Sequence, residues 1–161
     1  RDIGKALHRG CKIVADGIWR REGTHPDLIP RLSIFERFLK DTDFSPLLWE
    51  QMVYSKTHNY AGTFDLLGTK GDEYWLIDIK SNVPPQYALV QAALYEHAAR
   101  EQGIIKPDWR VKRFALSLME VSDLPKLHPG ETTDLSVGLS AVTLWHWRRR
   151  AGLLHVPVRT V

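Results

Sequence analysis

Tyr60-Ala61-Gly62-Thr63-Phe64-Asp65, the turn Lys70-Gly71-Asp72-Glu73, and Tyr74-Trp75-Leu76-Ile77-Asp78-Ile79-Lys80 form the stretch whose reading decides the fold. Apolar and aromatic runs flank a Gly-Asp turn signal, which predicts a β-hairpin with an acidic residue near the end of each strand. In the second run Asp78 and Lys80 stand two apart. The period of a strand then puts both side chains on one sheet face and turns Ile77 and Ile79 to the other. Two carboxylates and an ammonium are thereby gathered at one hairpin.

Outward from the hairpin, the pattern predicts a helix over Gly4–Val14 and a Gly/Pro-rich loop reaching Pro30. A second helix follows over Arg31–Lys40, where Leu32, Ile34, Phe35, Phe38 and Leu39 keep helical spacing. A strand is expected over Trp49–Lys56. Beyond the hairpin, the prolines of Ser81-Asn82-Val83-Pro84-Pro85 suit the first turn of a helix running from Pro84 to Gln102. Arg110–Met119 reads as another strand, Leu124–Thr133 as a loop marked by two prolines and a glycine, and Leu139–Leu153 as a final helix. This order is α/β, with a central mixed sheet flanked by helices.

Such a trio has a bland reading, a solvated surface salt bridge, since charged residues usually sit in water. It also has a chemical one. A phosphodiester is anionic and its attacking water is a poor nucleophile, so hydrolysis is commonly assisted by a divalent cation. Mg2+ takes hard oxygen ligands and keeps several waters, which suits Asp65, Asp78 and the Ile79 carbonyl. Lys80 would then orient or deprotonate the water, and its charge would offset that of the phosphate.

Three elements in register carry a resemblance: Gly62-Thr63-Phe64-Asp65, then Asp78-Ile79-Lys80, then Gln91-Ala92-Ala93-Leu94-Tyr95. The chain resembles the PD-(D/E)XK nuclease superfamily and, within it, the RecB-like exonuclease branch, over the span from His8 to Tyr95. The resemblance implies a restriction-endonuclease-like core, with residues 1–161 forming a single nuclease domain. It implies catalytic roles for Asp65, Asp78, Lys80, Gln91 and Tyr95. His8, in Gly4-Lys5-Ala6-Leu7-His8, matches the branch's upstream helical histidine and would be a metal ligand beside Asp65, Asp78 and Ile79. Glu50, on the preceding strand, matches a frequent further acidic position. Tyr87, Gln91 and Tyr95 share one helix stripe; Gln91 and Tyr95 are expected to face the site. His25 competes for the histidine role from a Gly/Pro loop.

Length and composition bound the rest. With 161 residues, 43% hydrophobic and 25% charged, the chain reads as one ordinary globular domain with a sizeable core. A net charge of +3 survives the acidic cluster, so positive charge lies elsewhere on the surface, which suits a polyanionic partner. Cys11 is the lone cysteine, excluding an intramolecular disulfide and the four-cysteine iron–sulfur cluster that some relatives in the branch carry. No run reaches transmembrane length, no signal-peptide core opens the chain, and Walker-type text is missing. The first residue is Arg1, not methionine, which reads as a fragment or a lost start. Arg148-Arg149-Arg150 suit a helix C-terminus, and Arg20-Arg21 and Arg110, Lys112 and Arg113 are candidate phosphate contacts. Six tryptophans are expected mainly in the core.

The expectation is therefore a Mg2+-dependent deoxyribonuclease, with Mn2+ as substitute and no iron–sulfur cluster. It would act on DNA as an exonuclease in recombination or repair, in a bacterial or phage-infected cytoplasm, with a bacteriophage gene as a candidate source, a recombination or single-strand-binding protein as a partner and no membrane association. A structure-selective endonuclease, whether resolvase or nickase, and an inactive DNA-binding or assembly protein of the same fold are the alternatives.

Overall fold

Glu73–Lys80 is the middle strand of a five-stranded sheet in the computed structural model, which describes residues 2–80, 85–118 and 124–154. In chain order the elements are α1 (Asp2–Ala15), a 3-10 turn (Pro26–Leu28), α2 (Ile29–Thr42), β1 (Ser45–Ser55), β2 (Tyr60–Lys70), β3 (Glu73–Lys80), α3 (Pro85–Glu101), β4 (Val111–Ser117), β5 (Lys126–Pro129) and α4 (Asp134–Arg150). The strands lie side by side in the order β1-β2-β3-β4-β5. β1, β2 and β3 form an antiparallel meander; β4 runs parallel to β3 across the α3 crossover, and β5 returns antiparallel. The sheet is mixed and flanked by helices, so the α/β expectation holds.

The β2–β3 turn needs only Gly71 and Asp72, with Gly71 at φ +55° supplying the positive backbone angle that a tight hairpin asks for. Two apolar cores grow from the two sheet faces. On one, Leu7, Cys11 and Val14 of α1 and Leu32, Ile34, Phe35 and Phe38 of α2 bury against Trp75, Ile77 and Ile79. On the other, Ala92, Ala98 and Ala99 of α3 bury against Val53, Phe64, Leu67 and Leu76. Alanines let α3 approach the sheet closely. α4 packs outside α3, where Gly138 admits the Leu94 side chain.

Several boundaries differ from expectation. Lys126–Pro129 lies in the segment expected to be all loop, yet pairs with β4 as an edge strand, where Pro129 needs no ladder donor on its outer side. α4 starts at Asp134 and ends at Arg150, earlier at both ends than the expected Leu139–Leu153. α2 includes Pro30, tolerated in a first turn whose N–H groups lack helical partners anyway. Asp65 is not near a strand end but in the middle of β2, which continues to Lys70. Trp145 and Trp147 are 45% and 52% exposed on α4, outside the core in which most tryptophans were expected. Pro84 and Met119, expected at element ends, lie outside the described residues.

Candidate active site

β2 and β3 pair from Lys70↔Glu73 up to Leu66↔Ile77 and then part at Asp65. The cause is a kink shared by two strands. Phe64 packs in the α3-side core, whereas Leu66, two residues on, packs in the α1–α2 core, so the alternation of faces breaks at Asp65. Opposite, Glu50 adopts φ +45° between the pairs Trp49↔Leu66 and Gln51↔Phe64. Where the ladder opens, the Asp65 side chain replaces a backbone partner: Ile79 N–H donates to its Oδ2 at 2.7 Å.

α1 supplies the next component. The His8 ring lies between two acceptors, with Nδ1 3.4 Å from Asp65 Oδ1 and Nε2 3.3 Å from the Ile79 carbonyl oxygen. A ring flanked by a carboxylate and a carbonyl marks a spot that attracts positive charge. Leu7 and Cys11, buried beneath, fix the helix and hence the ring.

On β3, Ile77 and Ile79 enter the α1–α2 core while Leu76 enters the other, so Asp78 and Lys80 point to the α3 face as the period of two predicts. Asp78 is only 5% exposed. Lys80 Nζ lies 2.8 Å from its Oδ2, a close charge contact whose direction is too oblique for a good hydrogen bond. Burial, then the neighbouring Asp65, push the Asp78 carboxyl up to about 6 against the pull of Lys80. Asp65 is likewise raised, chiefly by burial, with His8, the Ile79 N–H and Lys80 acting against it. Two carboxylates are thus held close together out of water, an arrangement that favours a shared cation or a proton.

Tyr95 closes the α3 side. Burial and then the charges of Asp78 and Asp65 raise its hydroxyl pKa. Gly62 explains how the ring reaches there: a Cβ on Gly62 would collide with the edge of the Tyr95 ring at Cε1, so the two residues of the sequence pattern are one steric unit. Gln91, one turn earlier on α3, is exposed and makes no side-chain hydrogen bond with the cluster among the described residues. Glu50 is exposed at its kink, lines a surface pocket with His8, and raises Asp65 by its charge. His25 stands apart: its Nδ1 accepts from Asp27 N–H and caps the 3-10 turn, so it takes no place in the cluster.

The sequence marks Cys11 only as the lone cysteine, with no place near the site. It lies three residues after His8 on the same helix, fully buried, its thiol pushed well up by burial and then by Asp65. The signal was the spacing to His8. Arg113 was read as a phosphate contact, but it is committed to Glu96 at 3.0 Å and to the Glu131 carbonyl at 2.6 Å.

His8, Asp65 and the Ile79 carbonyl, with Asp78 alongside, provide imidazole nitrogen and hard oxygens, the donor chemistry of Mg2+ or Mn2+. Among the described residues no three His, Cys, Asp or Glu side chains close on one point as a metal cage. A cation that keeps several waters needs no such cage, and the donor set fits it in kind.

No protein-family model matches the chain, and no curated protein matches its sequence. A crystal structure from Eubacterium rectale, of a protein named "Putative exonuclease", is similar in fold. Its TM-score is 0.57 at 10% sequence identity, covering 93% of this chain and 68% of that one. The likeness establishes that the two share a fold. No described helix is long and apolar enough to cross a membrane.

Proposed function

We propose that the chain is a Mg2+- or Mn2+-dependent deoxyribonuclease of the PD-(D/E)XK superfamily, RecB-like branch, comprising one nuclease domain. The observation that carries this reading is the convergence of Asp65, Asp78, Lys80 and His8 where β2 leaves β3. The fold shared with the "Putative exonuclease" supports the same direction. Its setting on this reading is DNA recombination or repair in a bacterial or phage-infected cell, working on DNA ends beside a recombination or single-strand-binding protein.

Asp65, Asp78, His8 and the Ile79 carbonyl would hold the cation, with Glu50 at the margin. When bound, the cation polarises a phosphate oxygen and makes water a better nucleophile at neutral pH. The chain's own residues then orient the reaction. Lys80, anchored on Asp78, presents N–H donors to the incoming water and offsets charge gathering on the phosphate. Tyr95, kept protonated by burial and then by its acidic neighbours, can donate to a phosphate oxygen but not accept a proton. Gln91, free on the same helix, is available to the DNA strand. Water adds to phosphorus in line, and the P–O3′ bond breaks to leave a 5′-phosphate and a 3′-hydroxyl.

The test is incubation with end-labelled linear duplex, single strand and covalently closed circles, with Mg2+, Mn2+ or EDTA, beside Asp78→Ala. Degradation of linear DNA that stops with EDTA and falls by about three decades or more in Asp78→Ala is expected. Cutting of closed circles would replace the exonuclease with an endonuclease. Activity that survives EDTA would overturn the metal site, and absence of cleavage on every substrate would leave a binding protein.

A further inference from the structure

A pocket of about 260 Å³ opens on the α1 side of the candidate site, lined by His8, Arg9, Lys12 and Ile13 of α1 and Trp49 and Glu50 of β1. Helix spacing accounts for the α1 wall. His8 and Lys12 stand one turn apart, Arg9 and Ile13 likewise, and the two pairs are neighbours on the helix surface. Leu7, Cys11 and Val14, on the opposite side, fix the helix in the core. Trp49 is partly buried, its ring set edge-on to Phe35 at 6.1 Å between centroids. One wall is thus a helix held by the core, and the β1 side carries an aromatic ring.

The cations here are exposed, and among the described residues neither side chain makes a hydrogen bond or ion pair, even with Glu50 across the pocket. Other basic side chains are committed, Arg37 to Asp41, Arg100 and Arg113 to Glu96, Lys112 to Glu73, while exposed cations such as Lys5, Lys40, Arg148 and Arg150 stand away from this pocket's lining. Arg9 and Lys12 share this pocket with His8, whose ring contacts the Asp65 carboxylate, so they are placed where an anionic strand needs them. A phosphodiester brought to Asp65 and Asp78 meets like charge, and cations on the flank offset that repulsion.

We infer that this pocket is the subsite for the nucleotide next to the scissile phosphate: Arg9 and Lys12 grip its backbone phosphate, and Trp49 and Ile13 pack against its base and sugar. The subsite rests on the nuclease reading and adds to it the α1 side as the strand's path. Its size fits one nucleotide of a single strand rather than a duplex, so single-stranded DNA is the substrate form held there. Arg9 and Lys12 are binding residues and take no part in bond breaking.

The test compares wild type, Arg9→Ala, Lys12→Ala, the double variant, and Arg149→Ala on α4 as a distant cation control. Binding of a fluorescent single-stranded oligonucleotide is measured against salt without divalent metal, and cleavage with Mg2+. Each lost phosphate contact lowers the slope of log affinity on log salt by about 0.7. The double variant is expected to lose about 1.4 in slope by that rule. KM should rise tenfold or more with kcat little changed, as loss of uniform binding requires. Lys12→Arg should restore the slope, and Arg149→Ala should leave it. Wild-type cleavage together with unchanged affinity and slope in the double variant would overturn the subsite alone. A wild type that neither binds nor cuts DNA would bring down the nuclease reading and the subsite with it.

Discussion

At Asp78, burial and the adjacent Asp65 lift the carboxyl to about 6, from an ordinary value of 3.8. Its folded pKa lies above its unfolded one, so the native state binds the extra proton between those values. This contribution therefore favours folding at low pH, declines as pH rises from about 4 to 6, and leaves a full penalty above that, about 3 kcal/mol. Asp78→Asn removes the penalty. Its melting temperature at pH 8 should exceed that of metal-free wild type by about 6 °C, the difference should vanish near pH 4, and nuclease activity should be lost. Paired scanning calorimetry at the two pH values checks this. Gly62 gives the opposite sign. Gly62→Ala drives a methyl into the Tyr95 ring and should cost about 1–3 kcal/mol. Combining it with Tyr95→Ala opens the space, so urea titrations should show losses smaller than additive.

Among the elements, the β1–β2 connection is held from α3. Glu101 accepts from Ser55 Oγ at 2.6 Å and from the backbone N–H groups of Lys56 and Thr57 at 2.8 and 3.1 Å. These bonds, that of Ser55 foremost, lower its carboxyl to about 2. Such a group stabilises the fold above its unfolded value near 4.5, and the benefit is lost as pH falls toward 2. Protection of the Lys56 and Thr57 amides, measured against their intrinsic exchange rates, should fall over that window in wild type and be low throughout in Glu101→Gln. The strands of the hairpin were legible because apolar and aromatic runs flank a Gly-Asp turn signal, and α2 because its apolar residues keep helical spacing. Asp65 was placed near a strand end, whereas β2 runs on through residues 66–70. In the fold, Gly68 admits the Phe44 ring and the Ser45 carbonyl, so β2 passes straight through it. β5 was missed because prolines and a glycine signal loop unless the strand is known to be an edge. The onset of α4 was blurred because it packs mainly on α3, outside the two cores, and needs no regular apolar face.

For the whole molecule, β2 and β3 feed both cores, so neither face can melt while the other stays folded. Phe38→Ala, a cavity in the α1–α2 core, should cost about 3–5 kcal/mol while leaving one unfolding transition. Far-UV circular dichroism and tryptophan fluorescence should trace that transition together; two separated transitions would divide the proposed single domain. The carboxylate–lysine core of the site could be read from the spacing of Asp65, Asp78 and Lys80, since strand geometry converts spacing into proximity. The approach of His8 needed the docking of a helix seventy-one residues from Ile79, which spacing does not encode. The kink at Glu50 has a last consequence, for self-association. β1 is an edge of the sheet, eleven residues long, with Met52 and Tyr54 exposed, the profile of a strand that recruits another chain and seeds aggregates. Pro46 denies it a donor near its start, and the left-handed backbone at Glu50 prevents a straight ladder from forming along it. The bend that sets Glu50 beside the candidate site thus also interrupts the edge along which another chain could pair.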